Sequence, residues 1–227
     1  MKRKEDKVYT WEEIRNHRSP TSAWVVIRNT VYDVTTYLTK HPGGPHTLLM
    51  AAGQDVTWLF ETSHPFTETP RKLLDSFRIG TVKNFVEYAP ENPFYEELKV
   101  KVKAHFDKSG KDMKDPLPTL QTAFLLLTMW MIGYYYGFAR GSLWAAALLG
   151  VSRALFGINT MHASSHFAVS HQPWVWRWLD WFVFDVLMGG SSIAWNYQHI
   201  VGHHQHTNVF QADPDFPCVV DGDMRRV

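Results

Sequence analysis

Cysteine is almost missing from this chain. Cys218 is the single one in 227 residues, which excludes a disulfide framework and any CxxC zinc site. Net charge is almost missing too. The 23 Lys and Arg stand against 22 Asp and Glu, so the balance gives no argument for nucleic acid or for an acidic partner. The charged N-terminus lacks the apolar core of a signal peptide. No internal repeat is visible. The largest deficit is local. Residues 116–212 hold only five charged side chains, Arg140, Arg153, Arg177, Asp180 and Asp185, while residues 1–115 hold 34. A mean hydropathy of −0.25 therefore blends two unlike parts. What is abundant is aromatic and imidazole: 10 Trp, seven of them in that uncharged stretch, and 12 His.

The charged front part carries α and β signals. Thr10 with Glu13 three residues later predicts a capping box at a helix start. Ala23 to Ile27 and Thr30 to Val34 are β-rich runs joined by Arg28-Asn29, a hairpin without the usual glycine. Then comes Tyr37-Leu38-Thr39-Lys40-His41-Pro42-Gly43-Gly44. The glycines stop the preceding helix at His41 and let backbone approach a large planar ligand. His64 follows 23 residues later, behind Val56, Trp58, Leu59 and Phe60. Two neutral imidazoles with an apolar lining suit a six-coordinate haem. With both axial positions filled, such an iron carries electrons and has no place for oxygen. His17 and His46 read as surface residues.

Residues 8–82 resemble cytochrome b5 almost end to end. The matching strings are Tyr9-Thr10…Glu12-Glu13-Ile14, Val31-Tyr32-Asp33-Val34-Thr35, His41-Pro42-Gly43-Gly44, Ala52-Gly53-Gln54-Asp55 and Phe77-Arg78-Ile79-Gly80. The resemblance implies haem b held by His41 and His64. Tyr37, Phe60 and Phe77 would form its wall, with Gly43 and Gly44 beside it. Tyr37 stands where the family usually has Phe.

The back part reads as membrane. Thr119 to Phe138 is a 20-residue run without charge, long enough for a hydrocarbon core of ~30 Å. Its tyrosines at one end suit an interfacial belt. Leu143 to Met161 is a second run that contains Arg153, which must snorkel, pair or face protein. Two crossings return the chain to its starting side. His162 and His166 follow, at i and i+4, a spacing that lets two imidazoles share a metal. The Trp-rich stretch 172–195 suits the interface better than a crossing. His199 and His203 again stand at i and i+4, with His204 adjacent. If 172–195 does not cross, both clusters face the compartment of the haem. Imidazole suits Fe, Zn and Cu, so residue type alone does not choose the metal.

HxxxH followed by HxxxHH, behind a fused cytochrome b5 domain, is similar to the front-end fatty acid desaturases. The similarity runs through Ser165-His166-Phe167-Ala168-Val169-Ser170-His171, Trp195-Asn196-Tyr197-Gln198-His199, Gly202-His203-His204…Thr207-Asn208 and Ala212-Asp213-Pro214-Asp215. The resemblance implies an oxidoreductase with two iron ions among histidines, His162, His166, His199, His203 and His204 here. His171 is a possible further ligand. His206, Asp213 and Asp215 receive no role, a Pro-flanked Asp pair being more often a turn than a site. The implied electron flow runs from NAD(P)H through a separate cytochrome b5 reductase to haem and then to the di-iron site. A lipid acyl substrate and O2 complete the reaction, in the endoplasmic reticulum membrane with haem domain and histidine boxes facing the cytosol.

Two departures stand out. Ala163 occupies the place where the family has Asp after its first histidine, removing a carboxylate that orients a ligand. The third box, QxxHH, is absent from the 227 residues, so the chain alone is not expected to be a competent desaturase. The expected architecture is an α+β cytochrome b5-like haem domain (5–84), then a linker with a short helix near 93–107 (85–118). An all-α membrane hairpin with interfacial helices follows (119–227), an incomplete membrane desaturase fold. The rival readings are a sphingolipid desaturase or lipid hydroxylase with the same electron chain, and a membrane-anchored electron carrier with a vestigial metal site.

Overall fold

The computed structural model describes residues 6–86, 92–209 and 212–215. Pro90, Cys218 and the run Met224 to Val227 lie outside them. Contacts divide the chain into two compact units. One runs to Lys108 and resumes at Tyr197; the other is Ser109–Asn196. This differs from the boundaries read from sequence. The helix after the haem domain and the second histidine box both group with the front unit.

The front unit is built on a five-stranded sheet, ordered β1-β5-β4-β3-β2. The strands are β1 (Lys7–Tyr9), β2 (Arg18–Ser19), β3 (Ser22–Ile27), β4 (Thr30–Asp33) and β5 (Arg78–Val82). β1 lies parallel to β5; the other pairs are antiparallel. The hairpin joining β3 to β4 forms as the sequence predicts, with Ile27 opposite Thr30. Arg28 takes the left-handed φ of 55° that a glycine would otherwise supply. Helix α1 (Trp11–Arg15) starts on the expected capping box: the Glu13 amide donates to Thr10 Oγ1, and the Thr10 amide donates to Glu13 Oε2 at 2.8 Å. Ile14 on this helix is fully buried with Val26 and Val31.

The other face of the sheet holds Ala23, Val25, Ile27, Val34 and Leu38 under α2 (Pro45–Ala51) and α3 (Thr57–Ser63). The chain between these helices runs beside β3. Val26 donates its amide to Gln54 O at 3.0 Å and accepts from the Val56 amide at 2.8 Å. That pairing fixes where α3 begins. Glu61 on α3 is buried. Arg71, from α4 (Thr69–Leu74), donates to it at 2.5 Å, and Arg28 approaches at 3.6 Å. Burial favours protonation of Glu61, but the hydrogen bond and charge of Arg71 outweigh it and hold the carboxyl below the usual range. The surface role expected for His17 is corrected. Its ring is half-buried, stacked on Trp24 with centroids 3.4 Å apart, and its Nδ1 meets Ser22 Oγ. His46 is exposed, as expected. Helix α5 (Pro93–Ser109) closes the first stretch of this unit.

The second unit begins with two helical rods. Leu117–Ala139 and Leu143–Ser165 are each 23 residues long and apolar enough to cross a membrane. At 1.5 Å per residue each reaches about 35 Å. Phe124, Leu125, Met131, Phe138, Leu143, Trp144 and Ile158 all point outward. A hairpin buried in a water-soluble core would hide such faces. The first rod is α6 (Leu117–Tyr134), wound as a π-helix over Tyr135–Ala139. The second is α7 (Leu143–Phe156), then π winding over Gly157–Met161, then α8 (His162–Ser165). Arg153, costly in such a rod, donates to the Met188 carbonyl.

The rods pack through small residues. A Cβ on Gly133 would meet Leu149 N at 2.7 Å and Ala145 O at 2.9 Å; one on Gly137 would meet Ala146 N at 3.1 Å. Gly133 and Gly137 form a GxxxG pair, which drives helix association where lipid removes the hydrophobic force. Gly133→Leu is expected to force the rods apart. Amide hydrogen exchange in α6 and α7 should quicken at least about tenfold, ~1.4 kcal/mol, within the cost of overpacking. Gly150→Leu is the control, because a Cβ there meets nothing within 4 Å. Equal exchange in both variants would refute the close-packed seam.

Beyond the hairpin, α9 (Pro173–Asp180) continues as π winding through Leu187. Trp174, Trp178 and Trp181 face outward, while Trp176 and Leu179 are buried with Val169. One apolar face inward and an outer row of Trp is the pattern of an interfacial helix.

Candidate functional site

The front unit brings His41 and His64 together. His41 caps the 3₁₀ turn Thr35–Lys40, and His64 caps α3. Their ring centres lie 6.4 Å apart. With metal–nitrogen bonds of about 2 Å and about 1 Å more to each ring centre, two imidazoles on opposite sides of one metal stand roughly 6 Å apart. His64 Nδ1 lies 2.9 Å from Phe60 O, and His41 Nδ1 lies 3.4 Å from Gly44 O. A carbonyl can only accept, so each Nδ1 donates, and in the neutral ring each Nε2 keeps its lone pair for a metal. Burial pushes His41 below the ordinary imidazole range, toward the neutral form that ligation needs.

The expected wall residues are near. Tyr37 lies 5.1 Å from Phe77 and 5.9 Å from His41, centre to centre, and Phe60 lies 4.8 Å from His64. Gly43 and Gly44 act differently from each other. A Cβ on Gly43 would strike the His41 ring at 2.8 Å, so its absence makes room for the ligand itself. Gly44 turns the chain at φ 87°.

His162 and His166 stand one turn apart on the end of the second rod, rings 4.6 Å apart. Helix α8 stops at Ser165, and Phe167 reverses the chain at φ 58°. Ala163 packs against Val169, Trp176 and Leu179. An aspartate at 163 would put a charge into that apolar cluster, so the departure fits its surroundings. His171 is drawn elsewhere. Its Nε2 lies 2.8 and 3.0 Å from the two carboxylate oxygens of Asp112, on an exposed surface. In this structure the ring is hydrogen-bonded to Asp112 rather than facing His162 and His166.

The second box lies in the front unit. Tyr197–His203 is wound as a π-helix, followed by the turn α10 (His204–His206). The winding changes which histidines meet. One π turn spans i to i+5, so His199 and His204 come closest, rings 4.5 Å apart, against 5.4 Å for the expected pair His199 and His203. His199 Nε2 and His204 Nε2 are 3.1 Å apart. Two adjacent imidazole nitrogens on one metal, each about 2 Å from it, would stand about 3 Å apart. An all-imidazole donor set suits iron, zinc or copper. His206 turns its Nδ1 toward Gly202 O at 3.1 Å.

Asp213 and Asp215 lie in the turn expected from sequence, and that turn stands beside this box. Asp213 is buried, 1% exposed, with its Oδ1 2.8 Å from His203 Nδ1. It also accepts from the amides of Asn208 at 2.7 Å and Asp215 at 2.8 Å. Burial opposes its charge, but the bonds from His203 and the two amides prevail, and its carboxyl falls to about 2. Asp215 Oδ2 lies 3.6 Å from Nδ1 of both His199 and His203, while Gln198 holds its other oxygen at 2.9 Å. The signal missed was the reversal at Thr207-Asn208. Asn208 adopts φ 62° and turns the chain back beside the box.

Known proteins divide the chain differently, with both histidine boxes in one match. The family model described as Cytochrome b5-like Heme/Steroid binding domain matches residues 10–83, and that of Fatty acid desaturase matches residues 139–219. The chain is 37% identical over 216 residues to acyl-lipid (8-3)-desaturase B of Dictyostelium discoideum, across 92% of this chain and 46% of that protein. It is 39% identical over 220 residues to the probable Delta(5) fatty acid desaturase C of the same organism, across 92% and 47%. It is 36% identical to the acyl-lipid (8-3)-desaturase of Mortierella alpina, across 97% and 51%. The chain thus spans about half the length of the curated relatives it matches. Among solved structures, the cytochrome b558 of Ectothiorhodospira vacuolata aligns over 34% of this chain and 98% of its own, with 35% identity and a TM-score of 0.32.

Proposed function

We propose, from the premise that this chain joins a cytochrome b5 domain to a fatty acid desaturase domain and has front-end desaturases as homologues, that it is the electron-receiving part of an acyl-lipid desaturase. Haem b would be held by His41 and His64 within a domain spanning 5–84, with 85–118 as tether. Two irons would be shared among His162, His166, His199, His203 and His204 and the residues of a third box. Bound there, iron with O2 supplies the oxidising power to take two hydrogens from a methylene pair, which no side chain can do. The printed names of the relatives favour insertion near the carboxyl end of an acyl chain, at Δ5.

The protein's own residues do the rest. His41 and His64 would hold the haem between them, and the group would supply electron transfer there rather than oxygen chemistry. The tether keeps donor and acceptor in one chain, an effective concentration in the mM range for a short linker. The second apolar rod would bring His162 and His166 to a membrane surface, proposed as the cytosolic face of the endoplasmic reticulum. A cytochrome b5 reductase would supply electrons from NAD(P)H. The 227 residues lack a QxxHH string, so double-bond insertion is proposed for the protein that carries it.

The observation that carries this reading is the second box: two Nε2 atoms at metal-sharing distance, with carboxylates behind them, in one chain with the facing pair His41 and His64. The test is metal analysis of the chain purified in lipid nanodiscs, with haem reduction by NADH and reductase followed optically. Expected are one haem, reducible within a turnover time, and non-haem iron that survives gel filtration. Haem iron without further metal would favour a plain electron carrier, and zinc in the cluster would overturn the di-iron assignment.

A further inference from the structure

The geometry points to Asp213 as the residue that positions His203 for metal, through the hydrogen bond from His203 Nδ1 to its carboxylate. Two observations carry this. Asp213 is 1% exposed, and a bare carboxylate is not buried without partners. Its three donors are the His203 ring at 2.8 Å and the amides of Asn208 and Asp215. The amides fix the carboxylate to the backbone, and the fixed carboxylate fixes the ring. A carboxylate only accepts, so Nδ1 carries a proton, and in the neutral ring Nε2 is then the nitrogen with a lone pair for metal.

The loop carrying Asp213 is in turn seated by the box itself. A Cβ on Gly202 would meet Pro214 Cγ at 2.8 Å and Cδ at 3.3 Å. Only glycine next to His203 lets the rigid proline ring approach this closely. Box and acidic loop are therefore one assembly: Gly202 admits Pro214, Pro214 sets Asp213, and Asp213 sets His203. The carboxylate missing at Ala163 has a counterpart here, ten residues beyond His203 rather than beside a ligand. A carboxylate hydrogen-bonded to a ligand histidine raises its basicity and fixes its orientation.

This inference rests on His203 being a metal ligand, so the experiment separates the two ideas. The full chain is labelled with ¹⁵N-histidine in nanodiscs, metal-free, and His203 is assigned by its loss in His203→Gln. His203 is expected to show the Nδ1–H tautomer. Asp213→Ala is expected to shift it toward Nε2–H. Asp213→Asn keeps an acceptor oxygen and should hold the original tautomer. Co²⁺ titration, read by its visible absorption, should show affinity falling about 10–100-fold in Asp213→Ala, with partial recovery in Asp213→Asn. The haem absorption band reports that the front unit still folds. If Asp213→Ala loses it, Gly202→Ala, which displaces the loop but keeps the carboxylate, takes its place and should show the same two shifts. An unchanged tautomer, or Co²⁺ affinity within about twofold of wild type, would overturn the assignment. A tautomer shift in a protein that binds no Co²⁺ at all would leave the positioning intact and overturn the ligand reading instead.

Discussion

His64→Ala is expected to abolish the six-coordinate haem spectrum outright and to stop reduction of the chain by reductase. The loss follows from geometry. His64 caps α3, its Nδ1 is held by Phe60 O, and its ring stands 6.4 Å from that of His41. His46 is exposed and His17 is committed to Trp24 and Ser22, so neither can take over. His41→Ala should be at least as damaging, because the Gly43 backbone packs directly against that ring. Haem bound only to the native state stabilises it in proportion to its affinity, so the melting temperature of the front unit should fall as well. The apolar cluster of Ala23, Val25 and Ile27 does not depend on either ring, so circular dichroism should still report a folded sheet at low temperature. A surviving low-spin spectrum in His64→Ala would move the ligand elsewhere.

The second large effect lies in the other histidines. The double variant His199→Ala, His204→Ala is expected to remove non-haem metal from the purified chain while leaving haem at one per chain. These two imidazoles present Nε2 atoms 3.1 Å apart, so deleting both removes a chelating pair rather than one contact. His171→Ala and His206→Ala supply the contrast. The first is paired with Asp112 and the second faces Gly202 O, so metal content should be unchanged in each. Equal loss across all the variants would mean that imidazole content, not arrangement, holds the metal. Metal retained in the double variant would exclude His199 and His204 as its ligands.

Local chemistry made much of this legible in the sequence. The capping box at Thr10 and Glu13, the hairpin at Arg28-Asn29 and the apolar runs each depend on neighbours along the chain. The approach of His41 and His64 was legible because both sit at helix ends announced by Pro, Gly and apolar spacing. What escaped depends on winding and on long reach. The i, i+4 rule assumes α geometry, yet π winding made His199 and His204 the close pair. Asp213 was missed because its role arises only when the chain reverses at Asn208 and Pro214 settles against Gly202. The seam at Gly133 and Gly137 was overlooked for a simpler reason: in an apolar run two glycines look like gaps, although their missing side chains form the contact.

The discontinuity of the front unit has a consequence for how the protein comes into being. Its two stretches are separated along the chain by the 88 residues of Ser109–Asn196. Closing a flexible loop of that length costs about 4 kcal/mol of chain entropy. Apolar rods that leave the ribosome and pair in the bilayer first are no longer a flexible loop, so most of that cost is met before closure begins. Synthesis order and membrane insertion would then set a timetable. The haem domain can form early, whereas the turn bearing His199, His203 and His204 joins it only after the hairpin is in place. A defect in insertion would thus appear first as an unfinished second histidine cluster beside a haem domain that is already complete.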